Sequence, residues 1–362
     1  MMSETIKAGV VGFGLAGQVF HAAVINETPG MEVAAIVERS GKTAAARYPG
    51  ARIVSSVEEM LQDPSIRLCV VATPNDTHCR IAEQCMRAGR HVVVDKPLAL
   101  SSADTAALGQ VARDAKVVLS AYQNRRWDGD FQTLRELLDS GRIGDPVLFE
   151  SHFDRFRLEP KPGAWRETEA AGGGILFDLG PHLIDQALCL FGAPTSLWAD
   201  VRISRPNVEV DDSHDIQLTY EDSPRKELRA LRVWLRSTMV AASPGARFTL
   251  HGTRATYEKW GLDPQEDALR EGARFADHAF GTEAASAWGT LTLPDSSPEV
   301  IRTLPGDYRK YYENVRNAIC GTAPLEVGVG AAWSVARIIE LARESSRTGC
   351  RVPVDLSAAA TL

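Results

Sequence analysis

Residues 6–27 read "IKAGVVGFGLAGQVFHAAVINE". A short apolar run ends at Val11, and Gly12, Gly14 and Gly17 follow before a stretch with helical periodicity. Glycines at this spacing, between a strand and a helix, have three separate uses. Gly12 permits a tight turn, Gly14 lets the backbone approach a pyrophosphate, and Gly17 lets helix and strand pack closely. The helix N-terminus then offers N–H donors to phosphate. Phe13, Leu15 and Ala16 complete the loop and are expected beside the bound group. The spacing alone also suits a plain turn. Glu38 favours the dinucleotide: it lies 21 residues beyond Gly17, at the end of "MEVAAIVE", where a carboxylate accepts from ribose hydroxyls. That carboxylate repels a 2′-phosphate and so favours NAD, yet Arg39 and Ser40 follow at once and leave NADP open.

Outward from this loop the pattern repeats. Strands are expected at 6–12, 31–38, 66–73, 91–95 and 116–122, with helices over 41–48, 57–62, 78–89 and 101–115. Ser101 followed by Asp104 reads as a helix cap with an acidic first turn. Such alternation predicts a doubly wound parallel sheet. Thr73, Pro74 and Asn75 follow the third strand and are expected near the cofactor, as is His78, which suits a helix start equally well. Beyond about residue 125 the period changes. Segments such as "SLWADVRIS", "HDIQLTY", "LRALRVWLRST" and "RFTLHGT" alternate with period two, as a mixed or antiparallel sheet does, among helices over 128–141, 173–191, 308–320 and 328–347. The fold class expected is α/β: an N-terminal Rossmann domain over 1–123 and an α+β substrate and oligomerisation domain over 124–362, with a large, mostly antiparallel sheet.

Composition narrows the function. A net charge of −7 gives no basic footprint for nucleic acid. No apolar run is long enough to span a bilayer, and the first residues carry no secretory pattern. The cysteines at 69, 79, 85, 189, 320 and 350 are scattered, which suggests reduced thiols in a cytoplasmic protein and no metal site.

Two further stretches carry chemistry. "VVDKPLAL" (93–100) brings Lys96 to the end of a buried strand, between Asp95 and Pro97. "GGGILFDLGPHLIDQ" (172–186) spaces Asp178, His182 and Asp185 so that a continuous helix puts all three on one face. A carboxylate one turn from a histidine raises its basicity, although a capping Asp178 and a core His182 fit this segment as well.

The glycine loop, the D-K-P at a strand end and the GGG-x3-D-x3-H run together resemble the Gfo/Idh/MocA oxidoreductases, over nearly the whole chain. "AYQNRRWDGDF" (121–131), "ARFTLHGT" (246–253) and "GLDPQEDALREG" (261–272) are similar to the branch containing the bacterial NADP-dependent scyllo-inositol dehydrogenases. The resemblance implies hydride transfer between a nicotinamide and a secondary alcohol of a cyclic polyol or sugar. Lys96, Asp178 and His182 are then the catalytic set, with Asp95, Lys96 and Pro97 also beside the cofactor. The family usually has Glu where this chain has Asp95, which puts that residue's role in doubt. The peptide before Pro97 is often cis in relatives.

Gln123, Asn124, Arg126, Trp165, Arg166 and Tyr311 are expected at the substrate, Asn124 and Trp165 foremost, although arginines at such turns often serve surface or interdomain pairs. His214, His251 and His278 read as structural. Apolar residues on both sides of "LRALRVWLRST" predict an outer sheet face buried against a second copy, as a homodimer or homotetramer. Alternative readings are a nicotinamide sensor without chemistry, an NAD-dependent glycosidase and a sugar-ketone reductase.

Overall fold

A computed structural model of the chain describes residues 5–39 and 43–362. Ser40, expected near the adenosine ribose, lies outside the described residues.

The first sheet has six strands: β1 (Ile6–Val11), β2 (Met31–Val37), β3 (Arg52–Val54), β4 (Ile66–Val71), β5 (His91–Val94) and β6 (Leu119–Ala121). All pair in parallel, in the order β3-β2-β1-β4-β5-β6. Helices cover its faces, so Leu68–Val71 and Val92–Val94 are fully buried and read as unbroken apolar runs rather than alternating ones. β3 is absent from the sequence expectation, because three residues show no period. The strand order reverses between β1 and β4, and the loops leaving these strands open a crevice there.

The intervening helices are α1 (Ala23–Asn26), α2 (Thr43–Arg47), α3 (Val57–Leu61), α4 (His78–Arg87) and α5 (Ser102–Ala115). A π-helical stretch over Ala16–Ala22 leads into α1. Ser101 caps α5 as expected: its hydroxyl accepts from the Asp104 N–H at 3.0 Å and donates to the Asp104 carboxylate at 2.7 Å.

The second sheet has nine strands. They are β7 (Pro146–His152), β8 (Ser196–Arg202), β9 (Ser213–Thr219), β10 (Arg232–Thr238), β11 (Phe248–Gly252), β12 (Thr256–Lys259), β13 (Gly289–Thr292), β14 (Glu299–Ile301) and β15 (Val352–Pro353). Their order is β14-β13-β12-β11-β7-β10-β9-β8-β15, antiparallel except for the central pair β7–β10. Six helices accompany it: α6 (Gly129–Asp139), α7 (Ile175–Asp178), α8 (Gly180–Phe191), α9 (Gln265–Arg270), α10 (Arg309–Ile319) and α11 (Val329–Thr348). α11 packs on β8 and α8 and also against α5, tying the two sheets together. Tyr308, Tyr311, Tyr312 and Val315, at α10, are buried in the core of the first sheet.

Two expectations are corrected. The helix over 173–191 is broken at Leu179 into α7 and α8, so Asp178 and His182 do not share one helical face. The apolar residues of 228–238 do not line both sides of a strand either. Leu228 and Leu231 precede β10 and are buried, and within β10 Val233 and Leu235 point inward. The outward row is Arg232, Trp234 and Arg236, with Gln217 of β9 and Glu150 of β7 opposite Trp234. This face is therefore polar, interrupted by Trp234 and, across Gln217, by Trp198 of β8.

Candidate active site

The glycine loop follows β1 at the reversal of strand order. Gly12 has φ +92°, a left-handed conformation, and a Cβ on it would meet the Ala72 carbonyl oxygen at 2.7 Å. A Cβ on Gly17 would lie 2.0 Å from the Gly12 carbonyl oxygen, so that turn closes only around glycine. At Gly14 the same test meets nothing within 4 Å. The loop is open there, on the side where a phosphate approaches a helix N-terminus. Gln18 braces the turn by donating to the Phe13 carbonyl at 2.7 Å and in turn accepts from Arg47 at 2.9 Å.

A cleft of about 840 Å³ runs from this loop over the strand ends. Gly12, Phe13, Gly14, Leu15, Ala16, Glu38, Arg39, Thr73, Pro74 and Asp95 all line it. Glu38 accepts from the Ala44 N–H at 3.2 Å, with its carboxylate at the cleft wall. The open position at Gly14 and the Glu38 carboxylate both border the cleft, as a bound dinucleotide requires. Arg80, Ser55 and Ser56, which sequence reading missed, also line it.

Three residues expected at the cofactor are set behind this surface. Asn75 is buried and donates to the Gly172 carbonyl at 3.0 Å, joining the two halves of the chain. His78 is fully buried at the start of α4, its ring nitrogens 2.9 Å from the carbonyl oxygens of Pro97 and Thr73. A neutral imidazole has one N–H, so it satisfies one of these carbonyls, and burial pushes His78 toward that neutral form. Pro97 joins Lys96 through a cis peptide and does not line the cleft.

A second, smaller cavity of about 260 Å³ adjoins the cleft. Leu15, Ala16, Asp95 and Arg166 line both, so the two are one continuous crevice. Lys96, Asn124, Asp178 and His182 line the smaller one. The Lys96 ammonium donates to the Asp178 carbonyl oxygen and, at 3.2 Å, to the Asp178 carboxylate. The same carboxylate accepts from Arg166 Nε at 3.1 Å and Arg155 Nη1 at 3.2 Å. Burial pushes the Asp178 carboxyl up, but Lys96, Arg166 and Arg155 outweigh it and hold the group ionised far below its usual range. Burial also lowers the Lys96 ammonium, against the opposing pull of Asp178 and Asp95.

His182 departs from the sequence expectation. Its ring stacks on Phe153 and its Nδ1 is buried without a hydrogen-bond partner. Asp178 is fully engaged with cations and does not touch it. Burial, reinforced by Lys96 and Arg125, pushes His182 well below the ordinary imidazole range, where the i,i+4 spacing predicted a rise. His182 is neutral at neutral pH.

The remaining expected residues divide. Arg166 stacks over the Trp165 ring at 4.3 Å, and Trp165 lines the cofactor cleft rather than the smaller cavity. Arg126 is held by Asp185 in a two-pronged pair of 2.6 and 2.8 Å and does not reach the cavity. Gln123 is buried outside it, and Tyr311 is buried against Tyr122 and Trp127, its hydroxyl on Ser120 at 2.7 Å. Of the two adjacent arginines at the cleft mouth, it is Arg125 that lines the cavity; it pairs with Glu266 at 2.6 Å and Asp128 at 3.3 Å, and lies over Phe153. Sequence reading also missed Arg155, which follows β7 in no motif. It missed His21 as well, whose Nδ1 is 2.6 Å from the Tyr312 hydroxyl and whose Nε2 faces Asp95 at 3.8 Å. Among the described residues, no cluster of three or more His, Cys, Asp or Glu side chains is placed to hold a metal.

Comparison with known proteins agrees with this geometry. Residues 6–123 match the NAD-binding Rossmann fold of the Gfo/Idh/MocA oxidoreductase family, and residues 135–356 match that family's C-terminal alpha/beta domain. The chain belongs to this family of oxidoreductases, and its first domain is of the NAD-binding kind. It is 40% identical to the oxidoreductase YdgJ of Escherichia coli, over 96% of this chain and 98% of that one. It is 35% identical to the NADP-dependent scyllo-inositol 2-dehydrogenase IolW of Bacillus subtilis, over 95% and 94%. A solved oxidoreductase from Yersinia pestis superposes with a TM-score of 0.90 at 42% identity, covering 98% of both chains. No helix among the described residues is long and apolar enough to cross a membrane.

Proposed function

We propose that the chain transfers hydride between a secondary alcohol of a polyol or sugar and a nicotinamide. The observation that carries this reading is the continuity of cleft and cavity through Asp95 and Arg166, with Lys96 and His182 on the cavity side. The relative whose name gives a substrate, scyllo-inositol 2-dehydrogenase, supports the polyol class.

Hydride acceptance or donation is the chemistry a bound nicotinamide supplies there. The residues handle the proton and the developing charge. His182, kept neutral, accepts the hydroxyl proton of the substrate as the carbonyl forms, and returns it in the reverse direction. Lys96 donates to the substrate oxygen and stabilises negative charge on it. Asp178 is a positioning residue. It grips the Lys96 ammonium through both a carbonyl and a carboxylate oxygen and has no contact through which to orient His182.

For the cofactor we retain NAD, on the Glu38 carboxylate at the ribose end of the cleft, against Arg39 and Arg80 nearby. Initial rates with NAD and NADP side by side test this. Glu38→Ala is expected to raise the NADP/NAD ratio of kcat/KM roughly tenfold, an effect of about 1.4 kcal/mol. A wild-type preference for NADP that Arg39→Ala removes would reverse the assignment.

The second copy of the chain is proposed to cover the outer face of the nine-stranded sheet around Trp198 and Trp234, both partly exposed amid polar neighbours. Light scattering at micromolar concentration should give a dimer or tetramer. A monomer there rules the interface out.

A further inference from the structure

The chain is acidic overall, with a net charge of −7. The smaller cavity is the reverse. Seven cationic side chains line it against four carboxylates, an excess of three positive charges. Where those charges sit decides what they are for.

Part of the set is internally matched. Glu266 pairs with Arg125 at 2.6 Å and with Arg270 at 2.7 Å, and Arg125 has Asp128 as well. Glu167 shares Arg205, which reaches it at 3.0 Å from outside the cavity lining and also holds Asp212 at 3.0 Å. The excess remains among the other lining groups. Two carboxylates stand among them: Asp178, which faces Lys96, Arg155 and Arg166 at 3.1–3.2 Å, and Asp95, which also acts on Lys96. At the rim beside them stand Arg157 and Lys161, exposed and without an ion-pair partner among the described residues. Arg155, Arg157 and Lys161 line this cavity and not the dinucleotide cleft, so the pyrophosphate at the glycine loop does not account for them.

A neutral polyol presents hydroxyls that both donate and accept, and suits a wall that mixes acceptors with donors. Guanidinium and ammonium groups only donate. A group of five of them, outnumbering the two carboxylates Asp95 and Asp178 among them, is complementary to negative charge. We infer that the substrate carries an acidic group, a carboxylate or a phosphate ester on a polyhydroxy framework, and that Arg155, Arg157 and Lys161 receive it while its carbinol faces Lys96 and His182. This deepens the hydride-transfer reading above and rests on it.

Matched pairs of compounds test the inference with the full-length protein and either nicotinamide: glucose against glucuronate, and myo-inositol against inositol monophosphate. The acidic member of a pair is expected to have a kcat/KM at least about tenfold above its neutral partner. In roughly 1 M salt, where the screening length is about 3 Å, that ratio should fall toward one. The double variant Arg157→Gln, Lys161→Gln should lower the ratio likewise, since neither side chain has an ion-pair partner among the described residues whose loss would disturb the fold. Glucuronate alone being favoured assigns the carboxylate; the inositol phosphate alone assigns the phosphate ester. Turnover in which the neutral members are preferred overturns the acidic group and leaves the oxidoreductase reading intact. Tight cofactor binding with no turnover of either member overturns that reading and the inference with it.

Discussion

Lys96→Ala should bind the nicotinamide cofactor as the wild type does and turn over polyol roughly 10²–10³ times more slowly, the usual effect of removing one donor to a developing oxyanion. The fold is expected to survive. Asp178 keeps Arg155 and Arg166 when Lys96 is lost, so no buried carboxylate is left unpaired. The reverse deletion is not equivalent. Asp178→Ala leaves three cations facing one another with no shared carboxylate, and is expected to destabilise the fold. A loss of activity in that variant would confound folding with chemistry. Lys96→Ala is therefore the cleaner variant, checked by thermal unfolding and by fluorescence titration with reduced nicotinamide. Activity within about twofold of wild type, against the 10²–10³ expected, would remove Lys96 from the reaction.

His182→Ala should slow alcohol oxidation by roughly 10²–10⁴, the range for loss of a positioned base. Its pH profile separates a proton acceptor from a packing residue. The wild-type imidazole is pushed below its ordinary value of 6.5, first by burial and then by Lys96 and Arg125. It is neutral and competent above its own pKa and protonated below it. The acid limb of kcat/KM should therefore fall below pH 6.5, and the alanine variant should lack it. Lys96, lowered from 10.5 by burial, sets the other limb, which begins below pH 10.5 and disappears in Lys96→Arg because a guanidinium does not deprotonate there. An acid limb that persists unchanged in His182→Ala would assign the proton to another group.

The first sheet was legible because its signals are local. A strand, a turn that only glycine permits at residues 12 and 17, and a helix start lie within 22 consecutive residues. The second sheet was legible in kind but not in order. Its centre is a parallel pair, β7 with β10, joined across more than 70 residues, and β7 showed no clean alternation. The same non-locality hid much of the site. Arg155 follows the end of β7 in no recognisable motif, yet it pairs directly with Asp178 at 3.2 Å. Asp178 and His182 were singled out by their spacing together with the family resemblance, and the shared helical face that spacing suggested is absent. Leu179 interrupts the helix, and Asp178 turns to three cations instead of to the imidazole. Adjacent arginines 125 and 126 look interchangeable in sequence. Asp185, one helix away, takes Arg126 and leaves Arg125 at the cavity. Tyr311 was expected at the substrate because it opens a late helix, and its ring instead completes the aromatic core beneath β6.

The central claim is that one crevice joins a nicotinamide site to a carbinol site at Lys96 and His182. It is tested most directly by following nicotinamide reduction over a panel of cyclitols, sugars and their acids, with wild type and Lys96→Ala in parallel. Reduced cofactor should accumulate with at least one member and fail to do so in the variant, with cofactor affinity unchanged. Tight cofactor binding with no reduction by any member of the panel would contradict it, and would leave a nicotinamide-binding protein without this chemistry.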